Sequence, residues 1–546
     1  MGGADKSRRG WRHARESPRW RAEGLSAMGR QQLTSIGLAG AVFLELVRGQ
    51  KAYPMTTPLT PTVSSFLGST MLHRIGGSDL PSSDGATIAV LNPSDGTRLA
   101  VVASGGEREI ALAVAAAQKA APAWAALRPN ERAVILQRLA DRMESHKADL
   151  VQLESLNVGK AITAAESYDI PFGIEGMRFF ADYSVHAARN IALAIKGIEA
   201  RSHFTPYGPC GFIFPWNFPF ILLMWGVCPA LAAGNTVVVK PSEVTPLSTI
   251  FFAKLAAESG VPPGVINVVV GDGPSAGSAL SAHPGIRRMS FTGSPAVGKR
   301  IGETCGRNLV PCKLELGGKG AAVIFDDVDV NDAAAKLTAA ITANTGQVCC
   351  TATRWMVHEK IYDSFASRAA EILSGTKIGP GMDRETQMGP LVNERQRERV
   401  LGYLERGEAE GARVILSGRS VAPGGRAGFY VSPSLLEGPD TNVCYKEEIF
   451  GPSAYLVRFK DEDAVVAQVN KLDYGLANSV WSRDLARANR VAERMVAGNS
   501  WINAHNVFAY GLPYGGVNLS GTGGGVNSAE TFHDYLRGQT IARPLS

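Results

Sequence analysis

Two adjacent cysteines, Cys349 and Cys350, close the segment Asn344-Thr-Gly-Gln-Val-Cys-Cys-Thr351 in a chain that contains only seven cysteines. A thiolate is a strong nucleophile toward a carbonyl carbon. A free thiol ionises near ~8.5, so a reactive cysteine needs surroundings that raise its thiolate fraction. Taken alone, the pair reads as two small buried residues, because free cysteine is among the most buried residue types. Two other groups change that reading. Glu315 stands in Lys313-Leu-Glu-Leu-Gly-Gly-Lys319, a lone carboxylate in an apolar strand pattern beside two glycines. Burial there raises a carboxyl pKa toward that of a usable base. Asn217, in Phe214-Pro-Trp-Asn-Phe-Pro219, is an amide held between aromatics and proline. It can cap a turn or donate an N–H to a developing oxyanion.

The elements that must position these groups alternate between strand and helix patterns. Arg108 to Ala126 and Asn130 to Asn157 carry helical periodicity and read as scaffold. A short apolar strand beginning at Gly211 ends at Pro215. Thr236 to Val239 is a buried parallel-strand pattern followed at once by Lys240-Pro-Ser-Glu243. The spacing then predicts a helix over 249–259 and a strand over 266–270, followed by Gly271-Asp-Gly-Pro-Ser-Ala-Gly277. A further strand begins at Met289 and leads through Gly293-Ser294 to Gly298 and a helix. Strands that each end in Gly, Ser or Lys are what a doubly wound nucleotide-binding sheet presents at its carboxyl edge. The glycines of 271–277 are spaced GxGxxxG rather than GxGxxG, a weak signal alone. Amides of Gly293 to Gly298 at a helix start can hold a pyrophosphate. Glu243, just after a strand, can accept from a ribose hydroxyl, and its charge repels a 2′-phosphate, which favours NAD over NADP. Helices are predicted over 332–344, 362–374, 393–410, 463–470 and 485–495, with a strand at 501–503.

With 546 residues the chain is long enough for two or three domains. The net charge of +6 is confined to residues 1–51, which hold ten basic and four acidic residues; the rest carries 46 of each sign. The body therefore has no net basic character, and nucleic acid is not an expected partner. The cysteine count is odd and no paired CxxC or HExxH occurs, so neither a disulfide framework nor a metal site is expected. A reducing, cytoplasmic compartment fits. Residues 1–30 read as disordered. The apolar run Ser35 to Val47 has 13 residues, too short to span a bilayer. Glu45 interrupts it and no A-x-A cleavage site follows, so neither a membrane association nor a secretory signal is favoured; Met28 and Met55 are alternative starts. Residues 52–70 read as a Thr/Pro/Ser linker, with folded chain from about His73.

Together, FPWNFP (214–219), KPSE (240–243), FTGS (291–294), ELGGK (315–319), GQVC (346–349) and EEIFGP (447–452) form an ordered set. The chain resembles the NAD(P)-dependent aldehyde dehydrogenase superfamily from about residue 73 to its C-terminus. The resemblance implies an α/β fold: a Rossmann-type cofactor domain (73–315) with an oligomerisation hairpin near 188–206, a catalytic domain (316–517) and a C-terminal oligomerisation segment (518–546), after a 1–72 extension. It implies that Cys349 is the nucleophile, Glu315 the general base and Asn217 the side-chain donor of the oxyanion hole. The cofactor contacts it implies are Phe214, Trp216, Lys240, Ser242, Glu243, Gly273, Gly277, Gly293, Ser294, Gly298, Glu448 and Phe450. Phe218, Trp225 and Phe508 are implied to line an aromatic substrate tunnel, suited to an uncharged or trimethylammonium aldehyde.

The implied reaction is oxidation of an aldehyde to its acid through a cysteine thiohemiacetal and thioester, in a homodimer or homotetramer. A CoA-acylating semialdehyde dehydrogenase and a catalytically silent NAD-binding protein are the alternatives. The chain departs from relatives at several positions: Gly226 follows Trp225 where many carry lysine, and in the tail motif Asn518 replaces a lysine and Gly524-Gly525 replace Arg-Glu. A second carboxylate near the site is thereby in doubt.

Overall fold

A computed structural model describes residues 57–545. The expectations for residues 1–56, including disorder over 1–30 and the apolar run Ser35 to Val47, lie outside the described residues. Part of the expected linker is structured. Pro61–Leu67 is a short helix whose Thr60 N-cap accepts from the Val63 amide, and Val63 is fully buried. The buried valine, the side-chain cap and the hydrogen bonds of Thr60 to Gln152 and Asp149 hold a segment whose composition reads as a linker.

Two twisted, largely parallel sheets organise the rest. The first has eight strands in the spatial order Gly521–Thr522, Cys312–Glu315, Arg288–Thr292, Pro209–Ile213, Thr236–Lys240, Ile266–Val268, His73–Ile75 and Ser78–Leu80. Its five inner strands, from Cys312–Glu315 to Ile266–Val268, pair in parallel, and antiparallel strands close both edges. The chain starts this parallel set at Pro209–Ile213, moves outward through Thr236–Lys240 and Ile266–Val268, then jumps back to Arg288–Thr292 on the other side. The reversal leaves a crevice at the carboxyl ends of Pro209–Ile213 and Arg288–Thr292, where open α/β sheets bind their ligands.

Both faces of this sheet are covered, so its inner strands are buried along most of their length: every residue of Thr236–Lys240 is buried. Helix Pro219–Ala233 is likewise buried at every position, as expected for a helix apolar on all sides. The periodic stretch 130–157 forms two helices, Pro129–Ser145 and Lys147–Val158, broken at His146 (φ −110°, ψ 21°). Periodicity could not mark the break because the second helix is buried all round from Asp149 to Val158.

The second sheet has seven strands, ordered Arg413–Leu416, Ser434–Glu437, Ser453–Phe459, Ala352–His358, Gly320–Ile324, Ala477–Trp481 and Asn499–Ile502. All its pairings are parallel except at the Arg413–Leu416 edge. Glu315 ends a strand of the first sheet and Gly320 begins the second, so the ELGGK segment is the crossing between them. A separate antiparallel sheet joins Asn190–Ile195, Ile198–Pro206 and Leu536–Pro544. Its final strand is exposed at every position after Leu536. Among the described residues no single helix is long and apolar enough to cross a membrane.

Candidate active site

The loop before Ala352–His358 carries the cysteines, and its shape is set by backbone in the left-handed region. Asn344 (φ 45°), Thr345 (φ 57°) and Gly346 (φ 71°) follow one another there, a costly arrangement for a β-branched residue. Hydrogen bonds hold it. Thr345 Oγ1 donates to the Gly389 carbonyl (3.0 Å), Asn344 Nδ2 to the Asn217 carbonyl (2.8 Å), and Gln347 Oε1 accepts from the Val392 amide (3.0 Å). A Cβ at Gly346 would overlap the Gly451 carbonyl, so GQVC and EEIFGP interlock through a residue without a side chain.

The loop separates its two cysteines. Cys349 is half-buried and faces the cleft, with Sγ 3.7 Å from the Tyr514 hydroxyl. The neighbouring Cys350 thiol and the Tyr514 hydroxyl hold the Cys349 thiol below its ordinary range, against the effect of burial. Cys350 is buried, donates to Asn506 Oδ1 (3.3 Å), and is pushed well up by Cys349 beside it and by burial.

Glu315 is buried; the Gly516 amide faces its carboxylate, but neither oxygen makes a well-formed hydrogen bond. Desolvation therefore pushes its pKa well above the carboxylate range. Asn217 is buried, and its Nδ2 donates to the Gln347 carbonyl (3.0 Å). That bond uses one of two amide protons and ties FPWNFP to the cysteine loop.

A cleft of about 560 Å³ opens at the crevice of the first sheet and runs to Cys349. Of the sequence-predicted residues, Trp216, Asn217, Ser242, Glu243, Gly293, Ser294, Glu315, Cys349, Glu448 and Phe450 line it. Ser294 is the N-cap of helix Pro295–Arg307: its Oγ accepts from the Val297 amide (3.4 Å), with Pro295 in the first turn. Helix amides and dipole thus face the cleft, the arrangement that binds anionic oxygens. Glu448 accepts from the Gly318 amide (3.0 Å), and burial lifts its pKa to about 7. Phe450 sits at φ 63°, with its carbonyl accepting from Gln396 Nε2 (2.7 Å) and its ring edge-on to Trp216 at 5.3 Å.

Five predicted cofactor contacts stand off the cleft. A Cβ at Gly298 would overlap Leu316 Cδ2, so this glycine brings its helix against the strand instead. Gly273 and Gly277 belong to a one-turn helix capped by Asp272. The ammonium of Lys240 is buried and consumed by the Pro241 and Gly271 carbonyls and Glu243 Oε2, at 2.9, 2.8 and 3.2 Å; it positions Glu243 from behind. Phe214 is buried and lines a smaller cavity beyond Glu315.

Trp225 and Phe508 meet with ring centres 5.7 Å apart, and both pack on Tyr514, at 5.5 and 5.2 Å. Phe172 and Tyr168 extend this cluster. Phe218 does not join it: its ring lies under the Lys160 ammonium at 4.2 Å, which Glu154 and Asp169 neutralise. Sequence reasoning missed Tyr168, Phe172 and the Tyr514 hydroxyl, and on the cofactor side Arg395, Gln396 and Arg399. The last three recur on one face of helix Glu394–Ala409, a surface pattern with no signal of its own.

A doubly wound sheet with a cleft at its switch point, and a sulfur, a buried carboxylate and an amide at one end, define a nucleotide-dependent enzyme with a cysteine nucleophile. The sequence model of the Aldehyde dehydrogenase family matches residues 80–541. The chain is 38% identical over 455 residues to 2-aminomuconic semialdehyde dehydrogenase of Mus musculus, covering 82% of this chain and 93% of that protein. It is 38% identical over 460 residues to phenylacetaldehyde dehydrogenase of Pseudomonas fluorescens, covering 82% and 91%. The structure of an aldehyde dehydrogenase from Bacillus cereus in complex with NAD+ superposes with a TM-score of 0.87 at 35% identity, covering 90% of this chain and all of that one. The chain belongs to the aldehyde dehydrogenase family. It is an NAD(P)-dependent oxidoreductase that converts an aldehyde to its carboxylic acid.

Proposed function

We propose that the reaction proceeds on Cys349, with Asn217 and the Cys349 amide as oxyanion donors and Glu315 as the base, and that NAD is the preferred cofactor. The observation that carries this is the convergence of the three side chains on one cleft, although they lie as far apart in sequence as 217 and 349. The Cys349 thiolate attacks the aldehyde carbon, and the two N–H donors stabilise the oxyanion that forms. The nicotinamide, when bound, accepts the hydride. The thioester left on Cys349 is then hydrolysed by a water that Glu315 deprotonates. The cleft suits a dinucleotide. The N-terminus of helix Pro295–Arg307 fits a diphosphate, Glu243 a ribose, and Glu448, Trp216 and Phe450 the nicotinamide end. Glu243 is 37% exposed, and its charge disfavours a 2′-phosphate.

The ring cluster of Trp225, Phe508 and Tyr514 next to Cys349 supports a substrate whose tail is uncharged and aromatic or aliphatic, or carries a trimethylammonium group. A buried, unpaired Glu315 supports hydrolysis over transfer to CoA, which needs no water-activating base. The test is NADH formation over a panel of neutral, cationic and carboxylate-bearing aldehydes, with and without CoA. Turnover without CoA, best with neutral or cationic tails, is expected. A strict CoA requirement, or a preference for anionic semialdehydes, overturns the corresponding part.

The exposed Ile191, Ile195, Ile198 and Ile541 on the three-stranded sheet support a homodimer or homotetramer, to be measured by light scattering. Seven unpaired cysteines support a reducing, cytoplasmic setting, to be checked by fractionation of cells expressing the full chain.

A further inference from the structure

Alternation along strand Cys312–Glu315 puts Lys313 and Glu315 on the same face, two residues apart. Both line a cavity of about 20 Å³, which has room for one water; Cys349, Ser290, Thr292 and Tyr514 help to close it. Gly226 also borders it and adds no polar group. Lys313 is 1% exposed, its ammonium donates to the Gly525 carbonyl, and it lies 3.6 Å from Asp534 Oδ2. That oxygen is buried, whereas the Asp534 side chain as a whole is 29% exposed. Arg288 from the neighbouring strand, 3.8 Å from the same oxygen, and the Tyr535 ring, 5.4 Å from Lys313 Nζ, complete the surroundings. A buried lysine thus connects a carboxylate without well-formed hydrogen bonds to one that reaches solvent.

We propose that Lys313 relays the proton taken up by Glu315 during thioester hydrolysis out of the site to Asp534 and so to solvent. The inference rests on Glu315 being the base. The attacking water forms its C–O bond as its O–H bond breaks, and the proton goes to Glu315. Glu315 passes it to the cavity water, which gives a proton to the Lys313 amine; Lys313 has released one to Asp534, from which it leaves to solvent. Protons balance and no co-reactant is needed. Burial lowers the Lys313 pKa to about 8, so the neutral amine is within reach near neutrality. Burial favours the neutral form of Glu315, which also borders the cleft, so an exit through Lys313 speeds its return to the base form after each hydrolysis.

The test is stopped-flow NADH formation by the full-length protein, which separates the hydride step from hydrolysis and product release. Lys313→Met should give one rapid equivalent of NADH per active site, then a steady state slower by about tenfold or more. Lys313→Arg should be as slow, because a guanidinium keeps the charge but does not exchange its proton at neutral pH. Asp534→Asn, at a partly exposed position, should slow the same phase and serves if Lys313→Met does not fold. An unchanged steady state in Lys313→Met or Asp534→Asn overturns the relay. So does a full wild-type rate in Lys313→Arg, which would assign Lys313 an electrostatic role only. Glu315→Gln is the control for the underlying reading: a burst without turnover supports it, and undiminished turnover sinks the base assignment itself.

Discussion

Gly318 lies so close to Cys349 that a Cβ on it would overlap the Cys349 carbonyl oxygen. The crossing between the two sheets is thereby pressed against the backbone that carries Cys349. Gly317 is as tight against the Glu448 carboxylate. The two glycines of ELGGK let Glu315, the Cys349 loop and the Glu448 turn approach one another.

Gly318→Ala should accordingly displace the Cys349 loop, since a backbone carbonyl cannot yield as a side chain does. The expected cost is about 1–3 kcal/mol of stability. A loss in kcat of about a hundredfold is expected from misplacing the sulfur by an ångström. Thermal unfolding and steady-state kinetics measure the two; a folded variant with wild-type kcat would disprove the packing argument.

The two cysteines should separate in function. Cys349→Ala is expected to lower turnover by at least about a thousandfold while NAD still binds, as the cleft keeps its other lining residues. Cys350→Ala should remain active, because Cys350 is buried and turned toward Asn506, but its pH–rate profile should move to higher pH, since the thiol that lowers the Cys349 pKa is gone. Alkylation by iodoacetamide, read by peptide mass, should mark Cys349 first.

Asn217 serves two partners, the Gln347 carbonyl and, by assignment, the oxyanion. Asn217→Ala should lower kcat by about a hundredfold, the usual effect of one lost oxyanion donor. Asn217→Asp should be no better, since it has no proton for the oxyanion and turns an acceptor toward Gln347. Single-turnover rates of the hydride step are the measurement; wild-type rates in both variants would remove Asn217 from the oxyanion hole.

Glu315 should make the protein less stable as pH rises. Its folded pKa is raised, so the folded state holds a proton that the unfolded chain has lost above about 4.5. Stability is full below that value and falls as pH climbs toward the folded pKa. Glu315→Gln removes the effect, so its Tm advantage over wild type should widen from pH ~5 to ~8 while turnover is abolished. A Tm difference independent of pH would contradict the buried, unpaired carboxylate.

Cofactor affinity should weaken in acid. Burial brings Glu448 to about 7, and only its carboxylate can accept twice from a ribose. The apparent KM for NAD should rise as pH falls below about 7, by up to about tenfold per unit. Glu448→Gln should show a raised and pH-independent KM; a wild-type pH profile in that variant would place the titrating group elsewhere.

The residue types and their order were enough to single out Cys349, Glu315 and Asn217, which the fold brings to one cleft, and to predict the strand-to-helix alternation around Thr236–Lys240 and Arg288–Thr292, because motif order and turn chemistry can be read locally. Contacts across the chain decided the rest. Gly298 proved to be a packing surface for Leu316, Lys240 is spent on carbonyls behind Glu243, and Phe218 lies under Lys160 rather than in the ring cluster. The partners that matter are distant in sequence: Asn217 meets a carbonyl 130 residues away, and Lys313 one 212 away. A side chain's proton affinity and direction depend on what is packed around it. Those neighbours become adjacent only when the two sheets close on each other.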